Sequence, residues 1–202
     1  MSKSVIIVGA SGHGKVVADI VRCAGDCVLG FLDDAPEKSE FLGWPVLGRC
    51  ADYAKFSDAY FVIGIGDSNV RTRLAAEMQG VKWYTAIHPS AVVSPLDARV
   101  GAGTVIMANA VINPGTTIGM HCIVNTAAVI DHDNQIEDFA HISVGARLAG
   151  TVEIGTRTWI GIGAVVSNNL SVCSDCVVGA GAVVVKDITD PGIYVGVPAT
   201  KR

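Results

Sequence analysis

The chain has 202 residues, half of them hydrophobic, and a formal net charge of −4, enough apolar material for one large core or two small ones. No basic cluster accompanies that charge, which argues against a nucleic-acid partner, and no apolar run approaches the ~20 residues of a membrane span. The N-terminal MSKSVIIVGASGHG is apolar only briefly before its glycines, so it reads as strand and loop rather than a signal peptide, and a cytoplasmic protein is expected.

Residues 1–86 read as an α/β domain. Ser4 to Val8 (SVIIV) is a short buried strand, followed by Gly9-Ala-Ser-Gly12-His-Gly14 and a helical segment over about 15–24. VLGFLDDA gives a second strand ending at Asp33 and Asp34, and DAYFVIGIG a third that closes on Gly64 and Gly66 before a helix over about 69–79. Strands alternating with helices predict a Rossmann-like parallel sheet with ligand sites at the strand C-termini. The spacing G-x-x-G-x-G is not the dinucleotide fingerprint G-x-G-x-x-G. A glycine-rich turn before a helix still presents free N–H groups to phosphate. Asp33 and Asp34 stand where a carboxylate accepts from ribose or base donors. The alternative is that the glycines only make a tight turn.

Residues 87–202 are expected to form the second domain, and from Asp97 the chain divides into fifteen hexads, DARVGA GTVIMA NAVINP through GAVVVK. The fourth position is aliphatic in all fifteen, and the second is Ala, Thr or Cys in twelve. A period of six fits neither an amphipathic helix nor an alternating strand. It fits a parallel β-helix in which each hexad supplies one strand and one corner, three hexads make a coil, and residues eighteen apart stack. The third positions then sort onto three outward faces. One carries Val105, Ile123, His141, Trp159 and Val177, the next Val111, Val129, Arg147, Val165 and Val183, and the last Arg99, Thr117, Gln135, Glu153 and Ser171. Two apolar faces and one polar face predict a cyclic homotrimer.

Cys173 and Cys176 form a C-x-x-C, but no second pair at metal spacing follows and both fall inside the repeat, so they read as reduced packing residues, with neither a metal nor a redox role. His88 and His121 read as corner or surface residues. Asp131, His132 and Asp133 crowd one turn of an otherwise apolar repeat, the pattern of a functional cluster.

VGASGHGK, FLDD, IGIGDSN-x-R, HPSA, the hexads containing VIDHD and HISVGARLAG, and YVGVPA together resemble the bacterial sugar acetyltransferase family of sialic acid O-acetyltransferases and PglD-type N-acetyltransferases of nucleotide-linked 4-amino sugars. The resemblance covers essentially the whole chain. It implies a left-handed β-helix, a nucleotide sugar held by the first domain, and acetyl-CoA as co-substrate in the groove between neighbouring β-helices, with no metal. Carried over, Ser11, Gly12 and His13 contact the phosphate region, Asp33 and Asp34 hold the base or ribose, Gly66 admits the ligand to the backbone, and Asn125 lies near the sugar. His132 matches the general base and Asp133 raises its basicity. His141 matches a residue at the thioester end of the coenzyme, and Gly150, Ile162 and Ala180 match backbone positions along the pantetheine, Ala180 replacing a frequent glycine.

An imidazole with a pKa of ~6.5 suits removal of a proton from a sugar ammonium near neutrality. The expected activity is N-acetylation of a UDP-linked 4-amino sugar by direct transfer. O-acetylation of sialic acid or a related glycan is the second reading. The third, of another class, is a non-catalytic or metal-binding β-helix related to carbonic anhydrases.

Overall fold

The computed structural model describes residues 2–35 and 39–202. Strands β1 (Ser4–Val8), β2 (Cys27–Leu32), β3 (Glu40–Phe41), β4 (Trp44–Gly48), β5 (Tyr60–Ile63) and β6 (Lys82–Trp83) form one sheet in the order β3-β4-β2-β1-β5-β6. All its pairings are parallel except the β3–β4 hairpin. Helices α1 (Gly12–Cys23) and α2 (Ser68–Glu77) follow β1 and β5, with a 3₁₀ helix at Cys50–Phe56. Val5 to Val8 are fully buried at the sheet's centre, which is why β1 reads as an unbroken aliphatic run. The β3–β4 hairpin and the 3₁₀ helix carry no strong periodicity and were not expected from the sequence.

Three sheets of short strands, paired in parallel throughout the hexads and two residues long except for the three-residue Cys176–Val178, make the remainder of the chain, a left-handed β-helix. Each hexad places its third and fourth residues in the strand, and residues eighteen apart pair, as in Ile123 with His141 and His141 with Trp159. The fourth-position aliphatics fill the prism, Ile112, Val124, Ile130, Ile142, Ile154 and Ile160 being fully buried. Buried polar residues at the second position donate to the carbonyl fifteen residues on: Thr104 to Gly119 at 2.8 Å, Thr116 to Asp131 at 2.7 Å and Thr158 to Cys173 at 2.7 Å. The prism thus holds polar side chains without unpaired hydroxyls.

The first position of every hexad is left-handed, with φ from 53° at His121 to 73° at Gly103, and ten of the fifteen are not glycine. That conformation costs a non-glycine residue about 1–2 kcal/mol. Eight of these ten donate their N–H to a carbonyl one coil down, as Asp133 does to Pro114 O at 3.0 Å and Thr151 to His132 O at 2.9 Å, which holds the conformation.

The prism also starts earlier than the hexad pattern. Ala86–Ile87 pairs with Val105–Ile106, and Val92–Val93 with Val111–Ile112, at an offset of nineteen. One extra residue before Arg99 puts this first coil out of phase with the rest. Gly192–Val195 continues one sheet beyond the last hexad, and Thr200–Lys201 folds back on it antiparallel.

The first apolar face requires a correction. Val105 and Ile123 are not an exposed strip for a neighbour; both are buried in one cluster with Val5, Val17, Ile20, Val21 and Tyr84 of the α/β layer. The alternation of the repeat gives the outward direction of a side chain but not what covers it. Trp159 at the far end of this face stays 46% exposed. The second face has Val92 59% exposed and Val111, Val129, Val165 and Val183 half-buried, and none of the described residues covers it.

Candidate functional site

The loops after β1 and β5 flank the point where the strand order reverses, the ligand position of open α/β sheets. Their glycines are of two kinds. Gly9 has φ +110°, a methyl on Gly14 would collide with the Gly9 carbonyl oxygen, and one on Gly64 would lie 2.9 Å from Gly14 Cα. Chain packing alone requires those three. Gly12 and Gly66 are under neither constraint, since nothing lies within 4 Å of the Cβ each would carry. Both expected ligand positions therefore have open space over bare backbone. Ser11 Oγ donates to Gly64 O at 3.4 Å, tying the loops together.

Asp33 accepts from Ala10 N at 2.6 Å and Ala35 N at 2.8 Å, and Asp34 from Cys50 N at 2.9 Å. These carboxylates shape the loop and start the 3₁₀ helix, while each oxygen keeps a second lone pair. His13 is half-buried, its Nε2 enclosed and without a partner among the described residues. Burial, then the charge of Arg71, push its pKa down to about 4.

Loop 66–69 faces the far end of the first β-helix face across a cleft of about 450 Å³, lined by Gly66, Asp67, Ser68, Asn69, His141, Arg157, Trp159 and Val177. His141 is stacked on Trp159, ring centroids 5.7 Å apart and 9° from parallel. Asn125 Oδ1 accepts from Thr126 N at 2.8 Å, which leaves its Nδ2 facing His141 Nε2 at 3.2 Å. Nε2 is then an acceptor and His141 is neutral. Burial first, then Arg71 and His13, hold it down to about 3. A larger groove of about 580 Å³ runs over the polar face along Gln135, Glu153 and Ser171, but none of the expected site residues lines it.

Arg71 is the residue that sequence reasoning left without a role, although it closes the IGIGDSN-x-R motif. It projects from α2, is 1% exposed, and donates to Gly66 O at 2.6 Å, Ile65 O at 3.3 Å, His121 O at 3.0 Å and Phe139 O at 2.5 Å. It thereby joins the loop after β5 to two β-helix corners. His121, expected at a corner or a surface, is a corner residue, but a buried one, held between the rings of Trp83 and Phe139 at this junction.

His132 and Asp133 lie elsewhere, at the corner between the second apolar face and the polar face. His132 Nδ1 is 2.8 Å from Asp133 Oδ2, with both side chains exposed. That hydrogen bond, joined by the charges of Asp131 and Asp133, raises the His132 pKa against the opposing effect of desolvation. Asp131 Oδ1 accepts from His132 N at 2.8 Å and from Asn113 Nδ2 at 2.9 Å. Gly150 stacks one coil above and lies against the His132 ring.

The chain therefore brings Ser11, Gly12, His13, Gly66, Asn125 and His141 into one neighbourhood, and His132, Asp133 and Gly150 into another. Ile162, 59% exposed, and Ala180 stack at a third position, the corner between the two apolar faces. In a single chain the second apolar face separates these last two groups. Cys176 occupies an interior position, its thiol pushed up to about 12 by burial and by Cys173. Asp19, Cys23 and His88 bring three ligand-type atoms within 4.8 Å of one another, a group that includes neither His132 nor His141. No helix among the described residues is long and apolar enough to cross a membrane.

Residues 4–78 match the family model of the PglD N-terminal domain. A UDP-N-acetylbacillosamine N-acetyltransferase from Bacillus subtilis (strain 168) is 38% identical over 113 residues, 52% of this chain. The match covers about half the length of that relative as well. Among solved structures, a histidine-to-asparagine mutant of perosamine N-acetyltransferase from Caulobacter crescentus in complex with CoA and GDP-perosamine is 37% identical, with 98% of this chain and 96% of that one covered and a TM-score of 0.94. The acetyltransferase domain of PglB from Neisseria gonorrhoeae, in complex with acetyl coenzyme A, is 37% identical over the full length of both chains, with a TM-score of 0.95.

Proposed function

This chain belongs to the PglD-type family of bacterial sugar acetyltransferases, and from that premise we propose that it transfers the acetyl group of acetyl-CoA to the 4-amino group of a nucleotide-linked amino-deoxy sugar, with UDP-linked sugars as the first acceptors to test. The observation that carries this is the His132–Asp133 pair, an exposed imidazole held by a carboxylate at 2.8 Å.

The chemistry follows from that pair. Asp133 accepts from Nδ1–H, which leaves Nε2 as the basic nitrogen and stabilises the imidazolium that forms. The sugar ammonium first loses a proton to solvent; the neutral amine nitrogen then attacks the thioester carbonyl carbon, and Nε2 takes the proton that the attacking nitrogen must shed. The tetrahedral intermediate expels the coenzyme thiolate, which takes the proton back from the imidazolium. No acyl-enzyme is needed. Ser11, Gly12, His13 and Gly66 are proposed to receive the phosphates, and Asp33 and Asp34 the ribose or base. Asn125 is proposed beside the sugar, and His141, Gly150, Ile162 and Ala180 along the coenzyme. The working unit is proposed to be a homotrimer in the cytoplasm. Support for the trimer is the uncovered second face and the splitting of the coenzyme positions to its two edges, which a neighbour's face would bring into one groove.

The open backbone at Gly12 and Gly66 favours a nucleotide-linked acceptor over a free glycan. The test is thiol release from acetyl-CoA against UDP- and GDP-linked 4-amino sugars and free sialic acid, since the relatives name both nucleotides. Turnover is expected with a nucleotide-linked amine and to drop by ~10²–10⁴-fold in H132A. Turnover of sialic acid alone would establish the O-acetyltransferase reading instead.

A further inference from the structure

Asn134 breaks the rule that the second hexad position is Ala, Thr or Cys. Size does not explain it, since Val152 and Leu170 in the same column are also large, and either would fill the space without a polar group. Asn134 is fully buried. Its Nδ2 lies 3.0 Å from Ala149 O, the bond fifteen residues on that the interior threonines also make. It lies as well 2.8 Å from Asp131 O and 3.2 Å from His132 O. Its Oδ1 is enclosed without a partner among the described residues, a condition that costs stability and calls for a reason.

We propose that Asn134 is a positioning residue for the base: its amide grips the carbonyls of Asp131 and His132, one on each side of the His132 Cα, and so fixes the turn from which the imidazole projects. The coil ladder holds this turn as well, through Thr116 Oγ1 to Asp131 O at 2.7 Å, Thr151 N–H to His132 O at 2.9 Å and Asp133 N–H to Pro114 O at 3.0 Å, and Asn134 links the two carbonyls that flank His132 to each other. His132 is exposed and Asp133 is left-handed at φ 59°, so the ring's placement against Gly150 depends on the backbone beneath it. Asp131 Oδ1, with Asn113 behind it, holds the same peptide from outside through His132 N–H. Asn134 holds it from within.

This inference rests on His132 being the base. The discriminating variant is Asn134→Thr, because threonine at this position elsewhere keeps the bond fifteen residues on but cannot reach the two nearer carbonyls as well. The acetyl-CoA thiol-release assay would be run on wild type, N134T and H132A with the nucleotide-linked amine, alongside thermal melting. The expected result for N134T is a kcat lower by about tenfold or more, an acetyl-CoA KM within twofold of wild type, and an acidic limb of the kcat profile displaced to lower pH as the Asp133 bond loosens. A core filler would move the melting temperature and leave that split and limb alone. Unchanged kcat and limb in N134T, with H132A inactive, overturn the positioning role only. An active H132A overturns the base and this inference with it. Should N134T not fold, Asn134→Cys, the residue at positions 122 and 176, takes its place with the same readings.

Discussion

The imidazole of His132 rests against the Cα of Gly150, one coil above it: a methyl built there would stand 2.5 Å from Nε2 and 2.6 Å from Cε1. Below, Asp133 lies against Gly115, where an added methyl would collide with Oδ1. The pair occupies a slot with a glycine on each side. Both glycines belong to positions where the repeat tolerates larger residues, since Asn168 stacks one coil beyond Gly150 and Asp97 one coil before Gly115.

Gly150→Ala is therefore expected to damage turnover more than stability. Gly150 has no left-handed φ, so alanine fits the backbone, and the ring it strikes is exposed and free to swing away. Displacing that ring by about 1 Å or more should lower kcat by at least ~10-fold, with a melting temperature within a few degrees of wild type. Unchanged kcat in a folded G150A would separate the ring's position from catalysis.

Asp133→Asn tests the electrostatics. The hydrogen bond from Nδ1 to Asp133 favours the imidazolium, so it raises the His132 pKa. The base works deprotonated, and kcat/KM should rise with pH through that raised value. Removing the carboxylate lets the pKa fall back toward ~6.5, so the acidic limb should move to lower pH while the plateau rate drops by about 10–100-fold as the tautomer and imidazolium lose support. A limb that stays in place or moves to higher pH contradicts the pairing.

The period of six was legible because it ties each residue to a direction: the fourth position had to be inside, and His132 and Gly150, eighteen apart, had to stack. Asp133 was legible as the acid beside the proposed base. Its left-handed turn was not, because the first position accepts aspartate, threonine, arginine and phenylalanine alike. At Asp133, Thr151, Arg157 and Phe139 the ladder bond from the turn N–H, rather than the side chain, holds that conformation. The first coil escaped because a single extra residue before Arg99 shifts its phase. Arg71 escaped for a different reason. Its partners are backbone carbonyls, two of them 50 and 68 residues away, and a carbonyl has no residue-type signature to pair with an arginine in advance.

Arg71→Met keeps much of the side-chain volume and removes every donor. Four carbonyls, those of Ile65, Gly66, His121 and Phe139, lose a charged partner in a buried place. At about 1–3 kcal/mol for each polar group left unpaired, partly relieved by relaxation, a loss of about 3 kcal/mol or more is expected. For a chain of this size that lowers the melting temperature by about 6–12 °C. Because the guanidinium holds the Gly66 loop opposite His141, the nucleotide-sugar KM should rise more than the acetyl-CoA KM. A melting temperature within ~2 °C of wild type would show that the junction is held by other contacts.

Val165→Asp addresses the assembly. Val165 lies in the middle of the second apolar face, between Arg147 and Val183, and its side chain points away from the prism, so a carboxylate there leaves the core of this chain untouched. If a neighbouring subunit covers the face, the charge must be desolvated on association and the trimer should dissociate. His132 sits at one edge of this face and Ile162 at the other, so dissociation would leave each monomer with half a coenzyme groove. V165D is expected to sediment as a folded monomer and to lose turnover although every proposed site residue is intact. Were it to sediment as a monomer with wild-type kcat, the groove between subunits could not be the site. Were the wild type itself monomeric, the coenzyme would have to bind across a single chain's face.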